Sequence, residues 1–174
     1  MDPVAIGVIL SSVITPLAKQ LLAHPETVAK GVNWVWSAAE HFLKMRRGQV
    51  DADDPAPLPP GPEPAPDAAG KGVQTPSPPR VKRDLDKFKL DLLEEQVDHE
   101  MKLIKKYVGN LQTLSQQAAH YGGEEFAPLV TVNQINYQRR SIVEHLNALA
   151  GLMSDVYEVQ VEGVDELAAI VDAS

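Results

Sequence analysis

Apolar side chains recur at steps of three and four along two long stretches of this chain, the spacing that keeps them on one face of an α-helix. From Val97 the series runs Met101, Ile104, Val108, Leu111, Ser115 and Ala118, with Leu90, Leu93 and Leu114 widening the stripe. Gly122 and Gly123 end it, since glycine takes the left-handed conformation of a helix C-terminus without cost. After a short loop containing Pro128 the spacing resumes as Ile135, Arg139, Ile142, Leu146, Leu149, Met153 and Val156, with Arg139 the one charge on the stripe. A second helix is therefore expected to open near Thr131 or Asn133, giving an antiparallel hairpin. Ile104, Val108, Leu111, Ile135, Ile142, Leu146 and Leu149 are its candidate adaptor-interface residues, because a lone hairpin buries too little and needs a further surface. The tail is ambiguous: residues 157–161 alternate with period two, as a short strand or a fraying helix end would, and VDELAAIVDA suits a short terminal helix.

The N-terminal fifty residues show the same period twice. Ile6, Leu10, Val13, Leu17 and Leu21 form one large apolar stripe, and Gly7, Ser11 and Thr15 form a stripe of small residues beside it. After Pro25, a residue suited to a helix start, Val28, Val32, Val35, Ala39 and Phe42 line one side of a second helix that ends in Lys44, Arg46 and Arg47. Trp34 and Trp36 point in different directions, so at least one lies off that stripe. A tryptophan beside a basic helix end suits a membrane–water interface and equally suits a packed bundle.

Between these halves the pattern fails. Ten of the fourteen prolines lie in residues 51–80, where there is almost nothing apolar to bury. Proline removes backbone donors and favours the polyproline II conformation, so 51–82 reads as a disordered spacer between modules at 1–50 and 83–174. Charge follows the same division. Residues 1–50 carry a net +2, 51–80 a net −3 and 81–174 a net −7, within a total of −8. The acidic C-terminal module speaks against nucleic-acid binding, which needs a cationic surface.

Little points to catalysis or metal. The chain has no cysteine, and none of its five histidines stands three or four residues from another, as two ligands on one helix face would. Gln96 occupies the carboxylate position of the Glu-x-x-His pattern that ends at His99, and the run Asp91, Glu94, Glu95, Asp98 reads as a solvated helix face. No phosphate-binding glycine loop or nucleophile elbow is present. The expectation is a chain with no catalytic, cofactor or metal site.

The first 24 residues bear directly on function. A secretion signal needs a positive segment before its apolar core, whereas the first lysine here is Lys19. A membrane span needs about 20 apolar residues, and the uncharged run Val4–Ala18 has 15, with Pro16 inside it. Ile6, Leu10, Val13, Leu17, Trp34 and Trp36 are the candidate membrane-directed residues. Gly7, Ser11 and Thr15 are candidate helix contacts, since small residues four apart let backbones approach. A soluble bundle helix accounts for the same stripes.

Two resemblances enter on these residues. MDPVAIGV followed by an apolar helix resembles the openings of HeLo-like cell-death domains, whose N-terminal helix perforates membranes on oligomerisation; the likeness spans the first helix alone. Asn110, Leu111, Gln117, Ala118, Tyr121, Gly122, Pro128, Leu129, Asn133 and Ile135 resemble the pattern of a short helical module in bacterial conflict and signalling proteins, attached there to CHAT or caspase-like proteases, TIR domains and STAND NTPases. In that pattern Tyr121 and Gly122 would end the first helix, Pro128 would fix the turn and Asn133 would cap the second helix. No protease, TIR or NTPase domain accompanies it here, so the resemblance implies that such activity resides in a partner.

The sequence thus points to an all-α chain: an N-terminal helical hairpin, a proline-rich linker, and a C-terminal antiparallel helical hairpin. The expected function is that of a non-enzymatic effector or adaptor in a bacterial immunity or signalling system, cytoplasmic and relocating to the inner membrane. Its expected partners are a helical protein of the STAND, protease or TIR kind, further copies of this chain in a homo-oligomer, and membrane, with no nucleic acid. The alternative is a structural coiled-coil oligomerisation protein with a soluble N-terminal bundle.

Overall fold

The structure, a computed structural model, describes residues 25–51, 54–58 and 86–157. These are all-α. Helix α1 spans Pro25–Arg46, α2 spans Lys87–His120 and α3 spans Leu129–Val156, with one 3-10 turn, Glu124–Phe126, between α2 and α3.

Helix α2 begins where Asp86 accepts a hydrogen bond from the Lys89 backbone N–H at 2.8 Å, satisfying one of the donors that a helix start leaves open. It buries Leu93, Val97, Met101, Ile104, Val108, Leu111 and Ala118, the stripe that the spacing predicts, while Ser115 is exposed. The helix ends as expected at Tyr121 and Gly122. Gly123 N–H donates to the Ala118 carbonyl at 3.1 Å and Gly122 N–H to Ala119 at 3.0 Å, the paired bonds of a Schellman motif. Gly122 sits at φ +95°, a backbone state that side chains with a Cβ rarely adopt.

Helix α3 opens earlier than the spacing suggests. Its first turn closes on the Pro128 carbonyl, which accepts from Thr131 N–H at 2.8 Å and Val132 N–H at 3.1 Å. Pro128, at φ −53°, is the N-cap, so Asn133 is an exposed residue inside the helix and caps nothing. The proline ring holds φ near this value without any side-chain acceptor. The helix continues through Val156, and Tyr157 is extended at φ −104°, ψ 146°. The rest of the ambiguous 157–161 segment lies outside the described residues.

Helix α1 packs into the core of the C-terminal hairpin. Val28, Val32, Val35, Ala38, Ala39, Phe42 and Leu43 belong to the same buried cluster as the α2 and α3 stripes. Trp34 and Trp36 are buried too, at 3% and 2% exposure, so neither lies off the core. Lys30, Asn33, Ser37 and Lys44 form a narrow exposed stripe, and most of the remaining circumference is enclosed. A helix apolar nearly all round is an interior helix. The proline-rich segment does pack at its start: the Trp34 indole N–H donates to the Pro57 carbonyl at 2.8 Å, and Ala56 is buried. The reason is local, since an indole N–H withdrawn from water needs an acceptor and Pro57 offers a carbonyl with no competing strand or helix.

Candidate functional site

The α2–α3 hairpin has two flanks, one on each side of its buried seam, and α1 closes one of them. Arg46 at the end of α1 bonds to Asp91 and, at 3.1 Å, to Glu94; Arg47 reaches Asp98 at 3.2 Å. Asp91, Glu94 and Asp98 of the acidic run are therefore paired with the basic end of α1, and Glu95 alone of the four is exposed without such a pairing. Lys102, hydrogen-bonded to Asp98, holds that carboxyl below its usual range, and Arg47 adds to the effect. Farther along, the Lys105 ammonium stands 5.6 Å above the Trp36 ring, a cation–π contact. At the other end His41 Nδ1 lies 3.1 Å from the Tyr157 hydroxyl, which also contacts the Ala38 carbonyl at 3.5 Å. Burial lowers the His41 pKa and raises that of Tyr157, so both groups are held neutral.

Among the described residues the opposite flank is uncovered. Leu92, Glu95, Gln96, His99 and Glu100 from α2 face Ala148 and Leu152 from α3 across a groove of about 420 Å³. Its floor is apolar, its rim carries Glu95 and Glu100, and no lysine or arginine lines it. A polar ladder continues the groove edge toward the hairpin turn. Glu100 bonds His145 Nδ1 at 2.7 Å, the His145 ring stacks on Tyr107 at 5.3 Å, and Tyr137 meets Tyr107 edge-on at 6.4 Å. Hydrogen bonding to Tyr137 pushes the Tyr107 phenol above its usual pKa. These contacts bind α2 to α3 and brace the groove wall. Chemically the groove offers an apolar trough with acceptor carboxylates, a shape that takes a helix or a chain segment. Among the described residues no group of three or more His, Asp or Glu is placed to hold a metal ion.

The residues singled out from the sequence fall into three sets. Ile104, Val108, Leu111, Ile135, Ile142, Leu146 and Leu149 meet one another in the α2–α3 seam, all buried. They hold the hairpin together and are covered by it. Trp34 and Trp36 lie in the core beside α2 and residues 54–58. Ile6, Gly7, Leu10, Ser11, Val13, Thr15 and Leu17 lie outside the described residues. Arg139, the charge on the apolar stripe, leaves the seam to grip Glu124 with two nitrogens at 3.0 and 2.6 Å, pinning the 3-10 turn to α3. Sequence reasoning missed the groove residues Leu92, Ala148 and Leu152. Their signal was present as apolar residues beside the main stripes, on faces that a simple amphipathic helix leaves polar.

Among the described residues no helix is long and apolar enough to cross a membrane. Comparison of the chain with protein-family models, curated proteins and solved structures found no match.

Proposed function

We propose that this chain is a non-enzymatic adaptor of a bacterial immunity or signalling system, in which the open flank of the α2–α3 hairpin receives a helix from a partner protein. The observation that carries this reading is the groove between Leu92 and Leu152: among the described residues, a braced hairpin with α1 packed on one flank and an apolar trough on the other has the form of a bundle with one helix position unfilled. Its acidic rim favours a partner helix with lysine or arginine beside its apolar stripe. The resemblance of Asn110–Ile135 to modules attached to STAND, protease and TIR proteins suggests where such a partner is sought. Membrane action belongs in this reading to residues 1–24, because Trp34 and Trp36 serve the core.

The test uses the full chain. Co-expression with any STAND, protease or TIR protein found encoded beside its gene should yield a stable complex, and Leu152→Glu should abolish it while circular dichroism stays unchanged. Absence of any complex, or a complex indifferent to Leu152→Glu, refutes groove docking. If Leu152→Glu instead dissolves a homo-oligomer, the structural coiled-coil reading takes its place. Flotation of the full chain with anionic liposomes tests the membrane half separately.

A further inference from the structure

The outer face of the first turns of α3 is apolar where a solvent face is normally polar. Phe126, Leu129, Val130 and Tyr137 are 69%, 73%, 68% and 57% exposed. Such a cluster on a chain of net charge −8 marks a contact surface. It is also preformed: Tyr107 supports the Tyr137 ring edge-on, and the Arg139–Glu124 pair fixes the turn that carries Phe126.

We propose that this face joins two copies of the chain, α3 packing antiparallel on α3 of a second copy about a twofold axis near Asn133 and Gln134. The argument is one of self-complementarity, which a twofold contact requires because each patch meets itself. Most of the C-terminal half is acidic and repels its own copy. This face carries far less net charge than the rest of the C-terminal half. Glu124 is matched by Arg139 within the chain, and of the remaining exposed charges Arg140 is opposite in sign to Glu125 and to Glu144 one turn farther along, with no ion pair joining any of the three among the described residues. Antiparallel pairing about Asn133 and Gln134 sets Val130 against Tyr137 of the second copy. It also brings Arg140 to the turn that bears Glu125 of the second copy. At the axis the two amides face their own kind, and an amide both donates and accepts, so like meets like without an unpaired group. Leu129, Asn133, Tyr137 and Arg140 follow one another at helical spacing, so a single packed stripe contains them all. The proposal concerns a different surface from the groove and does not rest on the adaptor reading.

Sedimentation of the full chain over a wide concentration range tests it. The expected result is a reversible monomer–dimer equilibrium. Leu129→Asp, at a position exposed in the monomer, should raise the dimer dissociation constant about tenfold or more, the effect of a buried interface anchor lost. Glu125→Arg and Arg140→Glu should each weaken the dimer, and the double variant should recover it. Leu152→Glu, in the groove, should leave it unchanged. A monomer at every concentration overturns the proposal, as does a dimer indifferent to Leu129→Asp. Failure of the double reversal to recover association overturns the antiparallel register.

Discussion

His41 Nδ1 lies 3.1 Å from the Tyr157 hydroxyl, and this contact ties α1 to the residue that closes α3 across more than a hundred positions of sequence. His41 Nε2 is buried without a partner among the described residues. The tautomer with hydrogen on Nδ1 suits these facts: Nδ1–H donates to the Tyr157 oxygen, the phenol proton turns to the Ala38 carbonyl, and the orphaned Nε2 is only a lone pair.

Protonating that ring is therefore unfavourable in the fold. Desolvation lowers the His41 pKa below 6.5, Asp54 opposes the shift and Lys44 adds to it. The unfolded chain takes up the proton near the ordinary value while the folded chain resists, so the contribution of His41 is complete well above pH 6.5 and is lost as pH falls through 6.5 toward the lower folded value. Urea unfolding should show lower stability at about pH 5.5 than at about pH 7.5, and His41→Gln should flatten that difference. Asp98 does not interfere, because its depressed pKa makes it a stabiliser that is lost only below its ordinary 3.8. Tyr157→Phe should cost about 1–2 kcal/mol at neutral pH, since it leaves His41 Nδ1 without a partner.

The ion pairs between α1 and α2 should matter less than the apolar contact beneath them. Asp91 is half exposed and Arg46 is partly so, placing their bond in the range of surface pairs. Arg46→Ala is expected to lower stability by less than about 1 kcal/mol, and the loss should shrink in high salt. Phe42→Ala, which empties a fully buried position, should cost about 3–5 kcal/mol at any ionic strength. Equal costs for the two variants in chemical denaturation would contradict this ordering.

Two glycines should respond to alanine with opposite signs. At Gly122 the backbone is held at φ +95°, and a Cβ would add strain there although space is open to 3.5 Å from Phe126. Gly122→Ala should destabilise by about 1 kcal/mol. Gly109 lies inside α2 with nothing within 4 Å of an added Cβ, so Gly109→Ala should stabilise by about 0.5–1 kcal/mol through helix propensity. Differential scanning calorimetry of the two variants would show melting temperatures on either side of the native one.

The start of the proline-rich segment should prove structural. Replacing residues 55–58 by glycine and serine uncovers Trp34 and removes Ala56 from the core. The melting temperature should fall by a few degrees, the equivalent of about 1 kcal/mol for a domain of this size. An unchanged value would mean that the Pro57 carbonyl replaces water with no net gain.

How far the sequence could be read depended on the range of the interaction. The stripes Val97–Leu111 and Ile142–Val156 were legible because helix periodicity is local. So was the stop at Gly122, where only backbone freedom matters. The start of α3 was misplaced because Asn133 is an attractive cap by residue type, whereas the Pro128 carbonyl supplies the first acceptor. Pairings between helices left no such trace. Arg46 and Arg47 read as a helix end and Asp91, Glu94 and Asp98 as a wet face; only the packed chain brings them together. The sequence leaves Trp34 free to face a lipid interface because its acceptor, Pro57, lies in a stretch whose composition argues against packing. The groove was hidden for a related reason: Leu92 and Leu152 stand on separate helices, and a trough exists only between them.

The burial of Trp34 and Trp36 has an optical consequence. The chain holds two tryptophans, both on α1, and its four tyrosines lie on other segments. Intrinsic fluorescence excited in the indole band is therefore an untagged reporter of one event, the seating of α1, with Trp34 sensing residues 54–58 and Trp36 sensing Lys105 on α2. Tyrosine-to-tryptophan energy transfer reports how near the hairpin stands to that helix. Should α1 lift away while α2 and α3 stay paired, the emission would shift to the red and transfer would drop with the far-ultraviolet ellipticity nearly intact.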